Sequence, residues 1–169
     1  NGGRSEPNSR MPNVRPRNGR RQMNGETIVW WSAGAASTVA AMLTLQETPT
    51  ARLIYTDPGA EHPDNVRFRN DVEQWLGVTI EVMRSAVYRD VWDVWDRTNW
   101  LVGPAGARCT VEMKKKLRQQ LERDTDVGVQ VFGYTVEERR RVERFRNANP
   151  DVNLSVPLID HNITKADCL

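Results

Sequence analysis

The sequence predicts a doubly wound α/β domain, a parallel sheet carrying helices on both faces. Short β-branched and aromatic runs alternate with segments of helical period, and a loop rich in Gly, Pro or small residues follows each run. No apolar stretch is long enough to cross a bilayer. With 169 residues, 38% hydrophobic and 27% charged, the chain has the length and apolar content of one globular domain.

The elements follow in order. Thr27 to Trp31 reads as a strand, Ser32 to Ala36 as a tight loop, and the next helix carries Val39, Met42 and Leu43 on one face. A second strand, Arg52 to Thr56, stops at Asp57-Pro58-Gly59. Asp64 is placed to cap a helix whose Phe68, Val72, Trp75 and Leu76 recur at helical spacing until Gly77 supplies a left-handed stop. Val78 to Val82 forms strand three. Residues 88–100 put Tyr88, Val91, Trp92 and Trp95 on a helical stripe, read as core in preference to pocket lining. Beyond Gly103-Pro104-Ala105-Gly106, Thr110 caps a helix with Met113, Leu117 and Leu121 on one face. Strand four, Val129 to Phe132, ends at Gly133, and a highly charged helix starts near Thr135. The segment from Val156 through Thr164 opens one more helix, so the domain, taken as residues 23–169, reads as truncated at its carboxyl end.

Charge is unevenly spread. Residues 1–22 hold six Arg against one Glu, while the remainder holds 18 basic and 21 acidic residues. The Arg-, Asn-, Gly- and Pro-rich start has no apolar period and reads as a disordered, solvated tail, the one place where nucleic-acid contact would be argued. It has neither the apolar stretch of a secretory signal nor the amphipathic period of a transit peptide. Two cysteines, Cys109 and Cys168, do not make a disulfide-rich secreted domain, so a cytoplasmic setting without membrane attachment is expected.

In an open parallel sheet, ligands bind beyond the carboxyl ends of the strands, where strand order reverses. Ser32 to Ser37, Asp57 to Pro63 and Gly133 to Arg140 all follow strands. The first loop offers small residues that let backbone approach an anion, hydroxyls at Ser32, Ser37 and Thr38, and the free amides of a helix start. Asp57 can accept ribose hydroxyls or hold Mg²⁺. His62 reads as a turn histidine. Arg108 with Lys114, Lys115 and Lys116 can neutralise a polyanion, although consecutive lysines face different ways on a helix. Cys109 is either a thiol beside Arg108 or a packing cysteine, and two cysteines do not complete a cluster site. The pattern fits neither the Walker phosphate loop nor the dinucleotide fingerprint.

Ser32-Ala33-Gly34-Ala35-Ala36-Ser37 resembles the Ser-Gly-Gly-x-Asp-Ser PP-loop of the adenine nucleotide α-hydrolase superfamily, whose fold is Rossmann-like. Asp57-Pro58-Gly59-Ala60-Glu61-His62-Pro63 resembles the Asp-Thr-Gly-x-Glu-x-Pro segment of the phosphoadenosine phosphosulfate reductase family. Arg108-Cys109-Thr110 before a basic helix is similar to that family's Arg-x-Cys-Thr segment. Gly133 to Arg141 is similar to its glycine, glutamate and arginine segment after strand four.

The resemblance implies an adenine nucleotide, phosphoadenosine phosphosulfate or ATP, held by Ser32, Gly34, Ser37, Thr38, Asp57, Glu61, Arg108, Lys114, Gly133 and Arg141. Cys109 and Asp57 are its candidate catalytic residues. It implies sulfonucleotide reduction or sulfur transfer with a thiol reductant or sulfur acceptor as partner. The alternatives are an ATP pyrophosphatase-type synthetase or thiolation enzyme and a non-catalytic nucleotide-binding module. The chain departs from the family at Ala36, which replaces the loop's acidic residue, and at Ala33 or Ala35, which replaces a glycine. Phage-encoded members have a similar loop. The family's carboxy-terminal Glu-Cys-Gly-like segment does not occur in this sequence.

Overall fold

The computed structural model describes residues 25–103 and 106–169. Residues 1–22, read above as a tail, and Pro104-Ala105 therefore lie outside the described residues. The elements are β1 (Glu26–Trp31), α1 (Ala35–Glu47), β2 (Arg52–Thr56), α2 (Asp64–Leu76), β3 (Ile80–Met83), α3 (Val91–Thr98), β4 (Val102–Gly103), β5 (Gly106–Ala107), α4 (Arg108–Thr110), α5 (Lys116–Asp124), β6 (Val127–Phe132), α6 (Arg139–Ala148), β7 (Leu154–Ser155) and α7 (Pro157–Asp160). Among the described residues no helix is long and apolar enough to cross a membrane.

The sheet has five strands in the order β3-β2-β1-β6-β7, every pair parallel. Alternation along β1 splits the core. Val29 and Trp31 pack with Ala41, Tyr55, Val72 and Phe68 on the face of α1 and α2. Ile28 and Trp30 pack with Ile54, Leu121 and Phe132 on the other face. The expected doubly wound α/β architecture is therefore present. Strand order reverses between β1 and β6, so the loops after these two strands meet at the switch point.

Several boundaries differ from the sequence reading. The face α1 buries is Ser37, Thr38, Ala40, Ala41 and Thr44, with Val39, Met42 and Leu43 only half-buried, because small residues bring helix and sheet closer. Pro63 is the N-cap of α2, and Asp64, its first residue, pairs with Arg67 instead of capping. Gly77 does end the helix at φ 67°, but the Val78 amide bonds Glu73 O and so delays β3 to Ile80. Helix α3 starts only at Val91, capped by Asp90, whose side chain accepts from the Asp93 amide. Its buried residue is Val94, while Trp92 is 65% exposed, so the tryptophan stripe is not core.

Thr110 does not cap the basic helix. The β4–β5 hairpin, read from sequence as loop, delivers Ala107 in extended conformation directly to Arg108. Residues 108–124 then run as one helix interrupted by a π-helical turn over Val111–Lys115, where the Lys116 amide reaches back to Val111 O. Strand four of the sequence reading, β6, begins two residues early at Val127. The charged helix is preceded by a 3₁₀ turn, Val136–Glu138, and β7 closes the far edge unforeseen.

Candidate functional site

The loop after β1 is built by its own hydroxyls. Ser37 Oγ donates to Gly34 O at 2.8 Å and accepts from Ser32 N at 3.1 Å and from Gly34 N at 3.4 Å, and Ser32 Oγ donates to it at 3.2 Å. Thr38 Oγ1 donates to Gly34 O at 3.1 Å and accepts from the Trp31 indole at 2.8 Å. Ser37 and Thr38 are buried. Their hydroxyls shape the loop and fasten it to β1. The Thr38 amide closes the first helical bond, onto Gly34 O, so the amides of Ala35, Ala36 and Ser37 are the ones left at the helix end for an anion. Ala33 adopts φ 56°, the left-handed region in which a side chain costs about 1–2 kcal/mol.

Gly133, at the end of β6, meets this loop across the switch point. A Cβ there would lie 2.7 Å from Ser37 Cα and 2.9 Å from Ala36 C. Only a residue without a side chain lets β6 come this close to the first turn of α1.

The loop after β2 is tied to its neighbours. Asp57 Oδ1 accepts from the Gly59 amide at 2.8 Å, and Asp57 Oδ2 accepts from Arg84 Nε at 2.9 Å and Nη2 at 2.7 Å. Both carboxylate oxygens are occupied, so Asp57 is a poor fit for Mg²⁺. Among the described residues no group of three or more His, Cys, Asp or Glu is placed to hold a metal ion. Gly59 has φ 70°, and a Cβ on it would come within 2.3 Å of Arg89 O, packing this turn against the segment after β3. Glu61 accepts from Tyr55 OH and Asn65 Nδ2, each at 2.6 Å, and Lys114 Nζ lies 3.9 Å from its other oxygen. Burial first, and then the Glu61 bond, push the Tyr55 phenol well above its ordinary range, keeping it a donor. His62 is exposed and accepts from the Asp64 amide at 3.1 Å, a turn role.

The basic cluster is partly neutralised from within. Glu112, its side chain only 3% exposed, has Arg108 Nη2 at 2.7 Å and Lys116 Nζ at 2.6 Å. The Arg108 contact is an ion pair without hydrogen-bond alignment. The π turn places Glu112 and Met113 inward and leaves Lys114 and Lys115 exposed, with Lys114 directed to Glu61. Cys109 is a half-buried free thiol in α4. Arg141 pairs with Glu138 at 2.8 Å and lies 5.0 Å over the Tyr134 ring. No ion pair or hydrogen bond joins Arg108 or Arg141 to the Ser32–Ser37 loop among the described residues.

Two elements of this region went unrecognised in the sequence. Arg84 is the first residue beyond β3, and the strand-end rule that picked Asp57 would have found it. The segment Ile163 to Cys168 folds back beside α1: Val136 N donates to Ile163 O at 3.2 Å, and the Glu137 carboxylate accepts from Lys165 N at 3.1 and 3.3 Å. The Thr135 hydroxyl, then backbone amides, hold the Glu137 carboxyl below its usual range. Burial, then the Asp167 and Glu137 charges, push the Cys168 thiol up, away from the thiolate.

The family described as phosphoadenosine phosphosulfate reductase domain matches residues 26–160, a span holding all four motif segments. A comparison with curated proteins returned no match.

Proposed function

Taking as premise that the chain belongs to the phosphoadenosine phosphosulfate reductase domain family, we propose that it binds an adenine nucleotide over the carboxyl ends of β1, β2 and β6 and acts in sulfonucleotide reduction or sulfur transfer. One observation carries the reading. The hydroxyl-braced turn Ser32–Ser37 holds three first-turn amides at the switch point, pressed into place by Gly133. Phosphate or sulfate oxygens bind these amides. Lys114 and Lys115, exposed beyond Glu112, are the candidate sources of positive charge for them.

In the reductive reading the bond from sulfate sulfur to phosphate oxygen breaks, and a dithiol reductant of the thioredoxin type supplies the electron pair. Cys109, half-buried beside Arg108, is the candidate thiol on this chain. A second reading, a nucleotide-binding module without turnover, draws on Ala36, since the position that bears an acid in the family's loop carries a methyl here.

Calorimetry with ATP, adenylyl sulfate and phosphoadenosine phosphosulfate tests the binding site. We expect the sulfated nucleotides to bind, and Ser37→Ala, which cuts the brace between Ser32 and Gly34, to weaken binding about tenfold or more. Failure of all three nucleotides to bind the folded protein sinks the reading. Turnover assays with a dithiol then separate enzyme from module.

A further inference from the structure

We propose that the outer face of α6 is a docking surface for the phosphodiester backbone of a nucleic acid, separate from the switch-point loops and independent of which nucleotide they hold. Arg139, Arg140, Arg141, Arg144 and Arg146 fall within this one helix, against the single acid Glu143, and all five are exposed. The run from Glu137 to Arg141 mixes both signs at helical spacing, which ordinarily ends as ion pairs along a solvated face. Here most of those pairs are not made.

The acids at the start of the helix are engaged elsewhere. Glu137 accepts from the Lys165 amide at 3.1 and 3.3 Å, while Glu138 accepts from Arg141 at 2.8 Å and from the Thr135 amide at 3.3 Å. Among the described residues, the arginines without an ion pair are Arg89, Arg123, Arg139, Arg140, Arg144 and Arg146, and the last four lie on α6. On the opposite face of the sheet, by contrast, Arg67 is held between Asp64 and Asp71. The excess on α6 is local, because the chain beyond residue 22 holds 18 basic and 21 acidic residues.

Packing fixes which way the helix turns. Val142 is buried and Phe145 half-buried, so at about 100° per residue Arg140 and Arg144 point away from the core, with Arg139 and Arg146 on one flank. Arg118 of α5 lies 5.2 Å over the Phe145 ring and donates to Asn149 Oδ1 at 2.8 Å, fastening the end of α6. Arg144 Nε donates to Arg140 O at 3.4 Å, which leaves its Nη donors facing outward. Arg139 to Arg146 covers about 10 Å at about 1.5 Å per residue, the rise of about three nucleotides at roughly 3.4 Å each. Planar guanidinium forks match phosphate oxygens in pairs. A lipid surface fits less well, since a helix that lies in one inserts apolar side chains, and none of the large exposed hydrophobics among the described residues is on α5 or α6.

The test is fluorescence anisotropy of the full chain with labelled duplex DNA, duplex RNA and single-stranded DNA across a salt series, beside co-sedimentation with vesicles containing phosphatidylserine. Wild type is expected to bind at least one of the three polymers, and the tightest identifies the form recognised. The double variant Arg140→Gln, Arg144→Gln is expected to bind it about tenfold or more weakly and, by losing two phosphate contacts, to flatten the slope of log affinity against log salt by about 1.4–1.8. Residues 1–22 hold six Arg, so the comparison is repeated with those six changed to Gln, where the α6 effect is expected to persist. Arg67→Gln, on α2, is the control and is expected to bind within about twofold of wild type. No polymer binding by the folded wild type, an unchanged slope in the double variant or an equal loss in Arg67→Gln would overturn the proposal. So would an α6 effect that vanishes with the six Arg of residues 1–22, or binding through α6 to the vesicles and to none of the polymers. Because Arg140 and Arg144 are exposed, circular dichroism of the double variant is expected to match wild type.

Discussion

Replacing Gly133 by alanine asks whether the approach of β6 to the first turn of α1 matters. The added Cβ would stand 2.7 Å from Ser37 Cα, 2.8 Å from Ser37 N and 2.9 Å from Ala36 C. Carbon atoms in contact prefer about 3.5–4.0 Å, so helix and strand must separate by roughly 1 Å. All three atoms are backbone, in a helix whose Thr38, Ala40 and Ala41 are buried, so no flexible side chain can absorb the change. Gly133 is not among the residues at positive φ, so the alanine backbone itself is not strained. Overpacking of this kind costs about 1–3 kcal/mol, to be read from urea unfolding as a lower midpoint at unchanged slope. A shift of about 1 Å in the anion-facing amides should weaken nucleotide binding by about tenfold to a hundredfold. Gly34→Ala is the control: same loop, same chemical change, but nothing closer to the new Cβ than Ser32 Oγ at 4.0 Å. Wild-type stability and affinity in Gly133→Ala, or an equal loss in Gly34→Ala, would refute the steric argument.

Ala33→Gly should stabilise the protein by about 1 kcal/mol, since relief of left-handed strain outweighs the added freedom of the unfolded chain; a lower thermal midpoint would contradict this. Thr38→Val should cost about 1–3 kcal/mol by leaving the buried Trp31 indole N–H without its acceptor, whereas Thr38→Ser should recover most of the loss; equal stability of both variants would show that the bond contributes nothing. Glu81 titrates below its ordinary value of 4.5, chiefly through its hydrogen bonds from Arg52. A carboxyl depressed in the folded state contributes stability that is complete above its unfolded pKa and is lost as pH falls through the folded one. Urea midpoints should therefore fall below about pH 4.5 and fall less in Glu81→Gln, by a small amount because the pair is solvent-screened; parallel pH profiles would exclude a contribution from the pair.

The fold was legible because its signals are local: β-branched runs, a stop at Gly77, and loops that interrupt each strand. The doubly wound arrangement also followed, since crossovers of one hand place helices on both faces of a parallel sheet. Errors arose where tertiary contacts outvoted spacing. Trp92 and Trp95 have the helical period of a core stripe, yet the residue α3 buries is Val94, while Trp92 is exposed. The π turn, which decides that Glu112 rather than a lysine turns inward, has no sequence signature. At the candidate site the positions of Ser32, Gly34, Ser37, Asp57 and Gly133 followed from the strand-end rule. What each side chain touches did not, because Ser37, Thr38 and Asp57 bond to partners that only the folded chain brings near.

That difference bears on the alanines of the first loop. Were the anion held by side-chain hydroxyls and an acid-bound cation, Ala33 and Ala36 would remove much of the site. The hydroxyls of Ser37 and Thr38 are instead used inside the loop, and the groups directed outward are backbone amides, which an alanine presents as well as any residue. In the proposed reading, the substitution at Ala36 therefore spares anion binding and touches only what a carboxylate would add, such as recruitment of a metal ion.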